Sequence, residues 1–418
     1  MPKSLYYKIL RRKGITSPSM PDHIQAGENM PKIASRTDAV PLSGIREMMD
    51  LAATIPGVLR LEIGDPNFQT PHAITEAAFD WASRNRVGYP PNSGLMELRK
   101  AIAAKVGRVN ALACGVENVN VTVGATGALY LALLATIEPG MDVLVPDPGW
   151  AGYPAMVGLA GGRVSPYPLS AASGFQLDVG AVERAITGRT GAIIVNSPGN
   201  PTGVLFARDE LRKLLDLAAR RDIWIIADEC YDEIVFEGRH HAIGAMEAID
   251  SSRVLSAFSF SKTYAMTGWR LGYLVAPAAV SRHVTRMQAA AVASASAVAQ
   301  AAGVAALAGS QGPVAEMVEA YRRRRDSAMA LLDAAGIGYV RPDGALYVMV
   351  DIRGTGMPSK DVALALLGDC AVCTTPGSAF GAECEGFLRI SLASADADLV
   401  EGLGRLATYV RARATAAA

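Results

Sequence analysis

The chain has 418 residues, 50% hydrophobic and 19% charged, with 40 Lys+Arg balanced by 40 Asp+Glu. Disorder needs low hydrophobicity and high net charge, and this chain has neither; its length suits two or three domains, each with its own core. A dedicated nucleic-acid binder carries a basic excess, so the balanced charge leaves no nucleic-acid partner expected.

In chain order, residues 1–40 read as a basic arm carrying Lys3, Lys8, Arg11, Arg12 and Lys13. The apolar run between these charges is too short for a secretory signal. Residues 41–70 precede the repeating pattern and are grouped with the C-terminal part of the chain. The short apolar runs 119–123, 141–145, 192–195, 223–227, 254–258 and 271–275 are continuous rather than alternating, and Gly, Pro, Asp or Ser bounds each one. Such runs predict a largely parallel sheet covered on both faces. Helical patterns over 127–137 and 208–220 lie between them, so residues 71–311 form an α/β core.

The charge-free stretch 287–308 is long enough to tempt a membrane reading. Its Ala, Ser, Gln and Gly are weakly lipophilic, which predicts a buried or interfacial helix and no membrane partner. After about residue 311 the texture changes. A charged helix over 314–335, with Arg322 to Arg325 as its solvated face, leads to a strand over 340–350 with a Pro/Gly-rich entry. A helix, a strand near 386–392 and a last helix follow. This order predicts a smaller α+β domain over 312–418, completed by 41–70.

Five cysteines, Cys114, Cys230, Cys370, Cys373 and Cys384, are too few and too scattered for a disulfide scaffold. They favour a reducing, cytoplasmic setting. Cys370 and Cys373 form a lone C-x-x-C with no second pair and no nearby His, so no metal site is expected.

In open α/β sheets, ligands gather at the carboxyl ends of the strands, and the residues there carry the chemistry. Gly124-Ala125-Thr126-Gly127 opens a helix, whose free N–H groups and dipole suit an anion. It is neither G-x-G-x-x-G nor a P-loop, so a single phosphate fits better than a nucleotide. Asn196-Ser197-Pro198-Gly199-Asn200-Pro201-Thr202-Gly203 is a stiff loop that presents Asn200. Asp228 follows a buried strand, where a carboxylate is costly unless it meets a cation. A protonated ring nitrogen or Mg²⁺ would serve; magnesium usually brings phosphate oxygens and water with it.

Ser259-Phe260-Ser261-Lys262 also ends a buried strand. Desolvation there lowers an amine's pKa and makes it a nucleophile towards carbonyls. Arg270, beyond Gly268-Trp269, can return as a phosphate fork. The same S-x-x-K occurs in penicillin-recognising serine hydrolases, but their S-D-N and K-T-G partners do not occur in this chain.

Together these motifs, with Asp228-Glu229-Cys230-Tyr231 and Phe387-Leu388-Arg389-Ile390-Ser391, resemble the class I/II aminotransferases, fold-type-I enzymes that use pyridoxal 5′-phosphate (PLP). The resemblance runs from about Ser43 to the last helix, with six motifs in the family's order. It implies a large domain with a mostly parallel seven-stranded sheet and a smaller α+β domain. It also implies Lys262 as the lysine that bonds the cofactor and moves the Cα proton, and Asp228 as partner of the ring nitrogen. Tyr231 and Asn200 would bond the ring oxygen, Trp150 would stack on the ring, and Gly124, Ala125, Thr126, Ser259, Ser261 and Arg270 would surround the phosphate. Arg389 and Gly64 match contacts to the substrate α-carboxylate, with Asn200 close by. Tyr89 matches a residue reaching the neighbouring subunit's phosphate, which implies a homodimer with shared active sites.

The reaction so implied is ping-pong transfer of an α-amino group between an L-amino acid and a 2-oxo acid. The same fold also carries β-elimination lyases and cyclising synthases. A PLP-binding transcriptional regulator would need a DNA-binding module, for which about 40 preceding residues are too few. No second arginine can be assigned to a substrate side chain; Arg36, Arg282 and Arg286 are the candidates. The stretch 289–300 lacks the Asn/Pro-rich wording many relatives have there.

Overall fold

The computed structural model describes residues 31–417, apart from Ser35, Asp38, Ala39, Pro41 and Leu42. The basic cluster from Lys3 to Lys13 lies outside the described residues. Thirteen strands are described. They are β1 (Leu59–Arg60), β2 (Val119–Val123), β3 (Asp142–Asp147), β4 (Arg163–Pro168), β5 (Thr190–Asn196), β6 (Trp224–Asp228) and β7 (Val254–Ser259), then β8 (Leu271–Val275), β9 (Tyr339–Val340), β10 (Tyr347–Asp351), β11 (Val372–Cys373), β12 (Thr375–Pro376) and β13 (Phe387–Ser391).

Seven of them form one sheet in the order β2-β8-β7-β6-β5-β3-β4. β8 runs antiparallel to both neighbours, and the other pairings are parallel. Continuous apolar runs give this sheet two dry faces, because successive side chains point to opposite sides. Val143, Val145, Ile194 and Ile226 pack on the helices Gly124–Thr136 and Gly152–Leu159. Leu144, Ile193, Val195, Ile225 and Ala227 pack on the opposite side, against Leu211, Leu214 and Leu215 of the helix Arg208–Arg221. Six of the seven strands are those the apolar runs predict.

The seventh, β4, has no such run. It is an edge strand, mostly exposed, and carries Pro166 and Pro168; proline is tolerated only where a strand's N–H groups need no partner. The charge-free stretch is also not one helix. It divides between the helices Ala278–Ala291 and Ala297–Ala308, with Ala293 at φ 60° in the break. Ser296 caps the second by accepting from the Ala299 N–H. Among the described residues no helix is long and apolar enough to cross a membrane.

A second sheet has the order β12-β13-β10-β9. The predicted strand over 340–350 is two strands, β9 and β10, because Arg341 to Leu346 form the turn between them. The N-terminal β1 pairs in parallel with β11, Leu59 opposite Val372. The Ser391 N–H donates to the Leu61 carbonyl at 2.8 Å, which carries residues 61–64 past the end of β13. The arginine run is not simply a solvated face. Arg324 and Arg325 are buried: Arg324 bonds Asn67 Oδ1 at 2.8 Å and lies over Phe68, while Arg325 lies over Phe236.

Candidate active site

Strand register assembles the site. At the carboxyl edge Val123 pairs with Leu271, Ser259 with Gly272, Asp228 with Ala257, and Asn196 with Asp228. The residues leaving these strands therefore stand side by side around a cavity of about 380 Å³. Gly64, Ala125, Thr126, Trp150, Asn200, Asp228, Tyr231, Ser259, Ser261, Lys262, Arg270 and Arg389 all line it. Gly124 is not among the lining residues. Tyr89 does not join the cavity of its own chain; it is 93% exposed.

The anion end is built by close backbone approach. Gly124 takes φ +68° at the start of its helix, and a Cβ there would stand 2.8 Å from Arg270 Nη2. Gly272 lets β8 pass under the helix start, since a Cβ on it would meet the Ala125 nitrogen at 2.5 Å. The guanidinium is steadied by the Thr267 carbonyl at 2.9 Å. Ser259 Oγ accepts from the Ser261 N–H at 3.0 Å, which tightens the turn leading into Lys262. A helix N-terminus, two serines and an arginine form a cradle of donors suited to an anion.

Lys262 is only part-buried, and its amine donates to the Gly64 carbonyl at 2.5 Å. Asp228 is buried. It accepts from the Tyr153 hydroxyl at 2.6 Å and the Cys230 N–H at 3.2 Å. Burial raises its pKa above the ordinary aspartate value, and these hydrogen bonds only partly oppose the rise. No cation among the described residues pairs with it, so the pocket has a buried acid suited to a cationic partner. The next carboxylate, Glu229, faces away and meets His240 Nε2 at 3.1 Å.

At the other end Arg389, 2% exposed, lies mid-strand on β13. Its guanidinium donates to Asn200 Oδ1 at 2.9 Å and to the Glu62 carbonyl at 2.6 Å. It sits over the Tyr347 ring at 4.2 Å and the Phe380 ring at 4.9 Å, while its Nε has no partner. Desolvation pulls its pKa below the usual arginine value. A buried, planar, incompletely satisfied fork is suited to a carboxylate.

Four contributors escaped the sequence reading. Tyr153 bonds Asp228 and packs edge-on against Trp150 at 5.4 Å. Asn196 accepts from the Asn200 N–H at 2.8 Å and donates to the Asp228 carbonyl at 2.9 Å, tying two strand ends together. Tyr347 meets the Tyr231 hydroxyl at 2.8 Å, and Glu62 supplies a backbone acceptor. The only signal for Tyr153 was its place three residues after Trp150. The others are defined by contacts across long sequence separations.

This seven-stranded sheet, with a lysine after β7 and an acid ending β6, is the architecture of the fold-type-I enzymes. The chain belongs to one family of them, aminotransferase class I and II, whose sequence model matches residues 56–406. It is 34% identical over 378 residues to an aromatic-amino-acid aminotransferase of Thermococcus litoralis, covering 90% of this chain and 97% of the relative. It is 35% identical over 383 residues to an aspartate aminotransferase of Pyrococcus abyssi, covering 91% and 98%. The solved structure of Thermus thermophilus aspartate aminotransferase with maleate superposes with a TM-score of 0.86 at 35% identity, over 91% of this chain and all of that one. The protein is thus an aminotransferase.

Proposed function

We propose that the cavity holds pyridoxal 5′-phosphate and that the enzyme moves an α-amino group from an L-amino acid to a 2-oxo acid in two half-reactions. The observation that carries this reading is one cavity holding an anion cradle, a lysine amine, a buried acid without a cation and a buried arginine fork. The residues fit the cofactor: the cradle at Gly124, Ala125, Thr126, Ser259, Ser261 and Arg270 matches its phosphate, and Asp228 matches its ring N–H⁺. When bound, the cofactor supplies a carbonyl that takes the amino group and a ring that draws electrons from the substrate's Cα–H bond.

The chain's own groups do the rest. Asp228, held by Tyr153, would keep the ring nitrogen protonated. Asn200 and Tyr231 supply polar groups for the ring oxygen, and Trp150 covers one wall. Arg389 binds the substrate α-carboxylate with two parallel donors, aided by the N–H of Gly64. Lys262 Nζ would hold the cofactor and would move the proton at the substrate's Cα.

Tyr89, exposed on its own chain, supports a homodimer in which it reaches the partner's phosphate site. The five unpaired thiols support a reducing, cytoplasmic setting. Mixing the holoenzyme with single amino acids tests the reading. Each productive donor should bleach the bound cofactor's visible absorbance and release its 2-oxo acid, and a 2-oxo acid should restore the spectrum. Loss of a β-substituent with ammonia and a 2-oxo acid, or loss of a side-chain leaving group with a cyclic amino acid that keeps its nitrogen, would instead place the chain with the lyases and synthases.

A further inference from the structure

On the transamination reading, the α-carboxylate site has a support that is not part of the cavity lining. Asp147 is the last residue of β3 in the seven-stranded sheet. Its Oδ2 accepts from the Ala382 N–H and its Oδ1 from the Glu383 N–H, both at 3.1 Å. Both donors belong to the turn Ala382–Cys384, which lies between β12 and β13 of the second sheet. A third bond runs beside them, from the Gly149 N–H to the Phe380 carbonyl at 2.9 Å. Three hydrogen bonds thus clasp residues 147–149 to residues 380–383, two of them strengthened by the carboxylate charge.

Gly381 makes room for the clasp. It takes φ +138°, and a Cβ on it would collide with Asp147 Oδ1; only glycine meets both demands. The Phe380 N–H donates to the Gly377 carbonyl at 2.9 Å, and a Cβ on Gly377 would collide with the Cys384 carbonyl. Residues 377–384 therefore fold on themselves as one compact piece. Asp147 is the fixed side, because its own carbonyl accepts from the Leu169 N–H at 2.7 Å and holds it to the sheet. Phe380 is where the piece meets the site: it is buried, and the Arg389 guanidinium lies over its ring at 4.9 Å. Asn200 and the Glu62 carbonyl take the guanidinium's N–H groups, and Phe380 helps to set its plane.

We propose that Asp147 is a positioning residue for substrate: its clasp sets Phe380 and, through Phe380, the plane of the Arg389 fork that takes the α-carboxylate. The proposal rests on the transamination reading. The test follows the holoenzyme's cofactor absorbance in single half-reactions with L-alanine, L-leucine, L-phenylalanine and L-aspartate, for the parent, Asp147→Asn and Asp147→Ala. Every donor carries the α-carboxylate, so Asp147→Ala should raise the half-saturating concentration of each reactive donor by about tenfold, since a small misplacement of a binding group is enough for such a loss. The factor should agree between donors within about twofold, and the limiting rate should stay within about twofold of the parent. The resting absorbance maximum and the cofactor content should not change. Asp147→Asn keeps one acceptor oxygen and should give about a threefold rise; it carries the test alone if the Ala variant does not fold. An unchanged half-saturation, a rise confined to one donor, or a loss seen only in the limiting rate or the cofactor content would overturn the proposal and leave transamination standing. A parent that reacts with no donor would overturn the transamination reading and this inference together.

Discussion

The two ends of the cavity are built in different ways. At the cofactor end, Gly124, Asp228, Lys262 and Arg270 each adjoin a strand of one sheet. Their relative positions follow from strand register alone. At the substrate end, Arg389 comes from a second sheet, Glu62 to Gly64 from a loop more than 300 positions earlier, and Ile45 and Met49 from a separate helix. The first end is held by a contiguous backbone ladder. The second joins segments that meet only in the folded chain, through the Ser391–Leu61 backbone bond and the contacts of Arg389 with Asn200 and Glu62; on the proposed reading, chemistry belongs to the first end and substrate binding to the second.

This contrast can be tested by breaking each end in turn. Lys262→Ala removes the nucleophile and the base together, and kcat should fall by about 10⁴-fold or more; a variant within tenfold of the parent would move the chemistry to another residue. Asp228→Asn should cost about 10²–10³-fold in kcat by removing a preorganised charge, with the cofactor's spectrum altered. The same change has the opposite effect on cofactor-free protein. Asp228 has a raised folded-state pKa, so its contribution to stability is fully present below the unfolded aspartate pKa and is lost as pH rises through the folded value. At neutral pH the cofactor-free Asn variant should therefore unfold at the same temperature or a higher one, as calorimetry would show.

At the substrate end the expected losses are smaller and fall on binding. Arg389→Lys gives up one of two parallel donors, which is worth about 10–100-fold in kcat/KM. The loss should appear mainly in KM, and an unchanged KM would relocate the carboxylate site. Tyr347→Phe keeps the ring over Arg389 and removes only the hydroxyl that meets Tyr231. Steady-state kinetics should show about a threefold to tenfold fall in kcat with KM nearly constant. A rise in KM instead would make Tyr347 part of the carboxylate site.

The same contrast explains what the sequence disclosed. Lys262 and Asp228 were legible because each follows a continuous apolar run, and a strand's end is where open sheets place ligands. Arg389 carried no such local signal and was reached only through its motif's resemblance to a family. Tyr347 and Asn196 were invisible because their roles are contacts, to Tyr231 and Arg389 in one case and to Asn200 and Asp228 in the other. Strand β4 was missed because its prolines and exposed face contradict the buried pattern. Arg324 and Arg325 look like surface charge in sequence, yet aromatic faces and backbone carbonyls take them inside.

The most direct test of the central claim is to reduce the holoenzyme with borohydride, digest it and map the peptides by mass. One pyridoxyl-phosphate increment is expected, on the peptide carrying Lys262 and nowhere else. An active enzyme whose increment falls on another lysine, or on none, would contradict it.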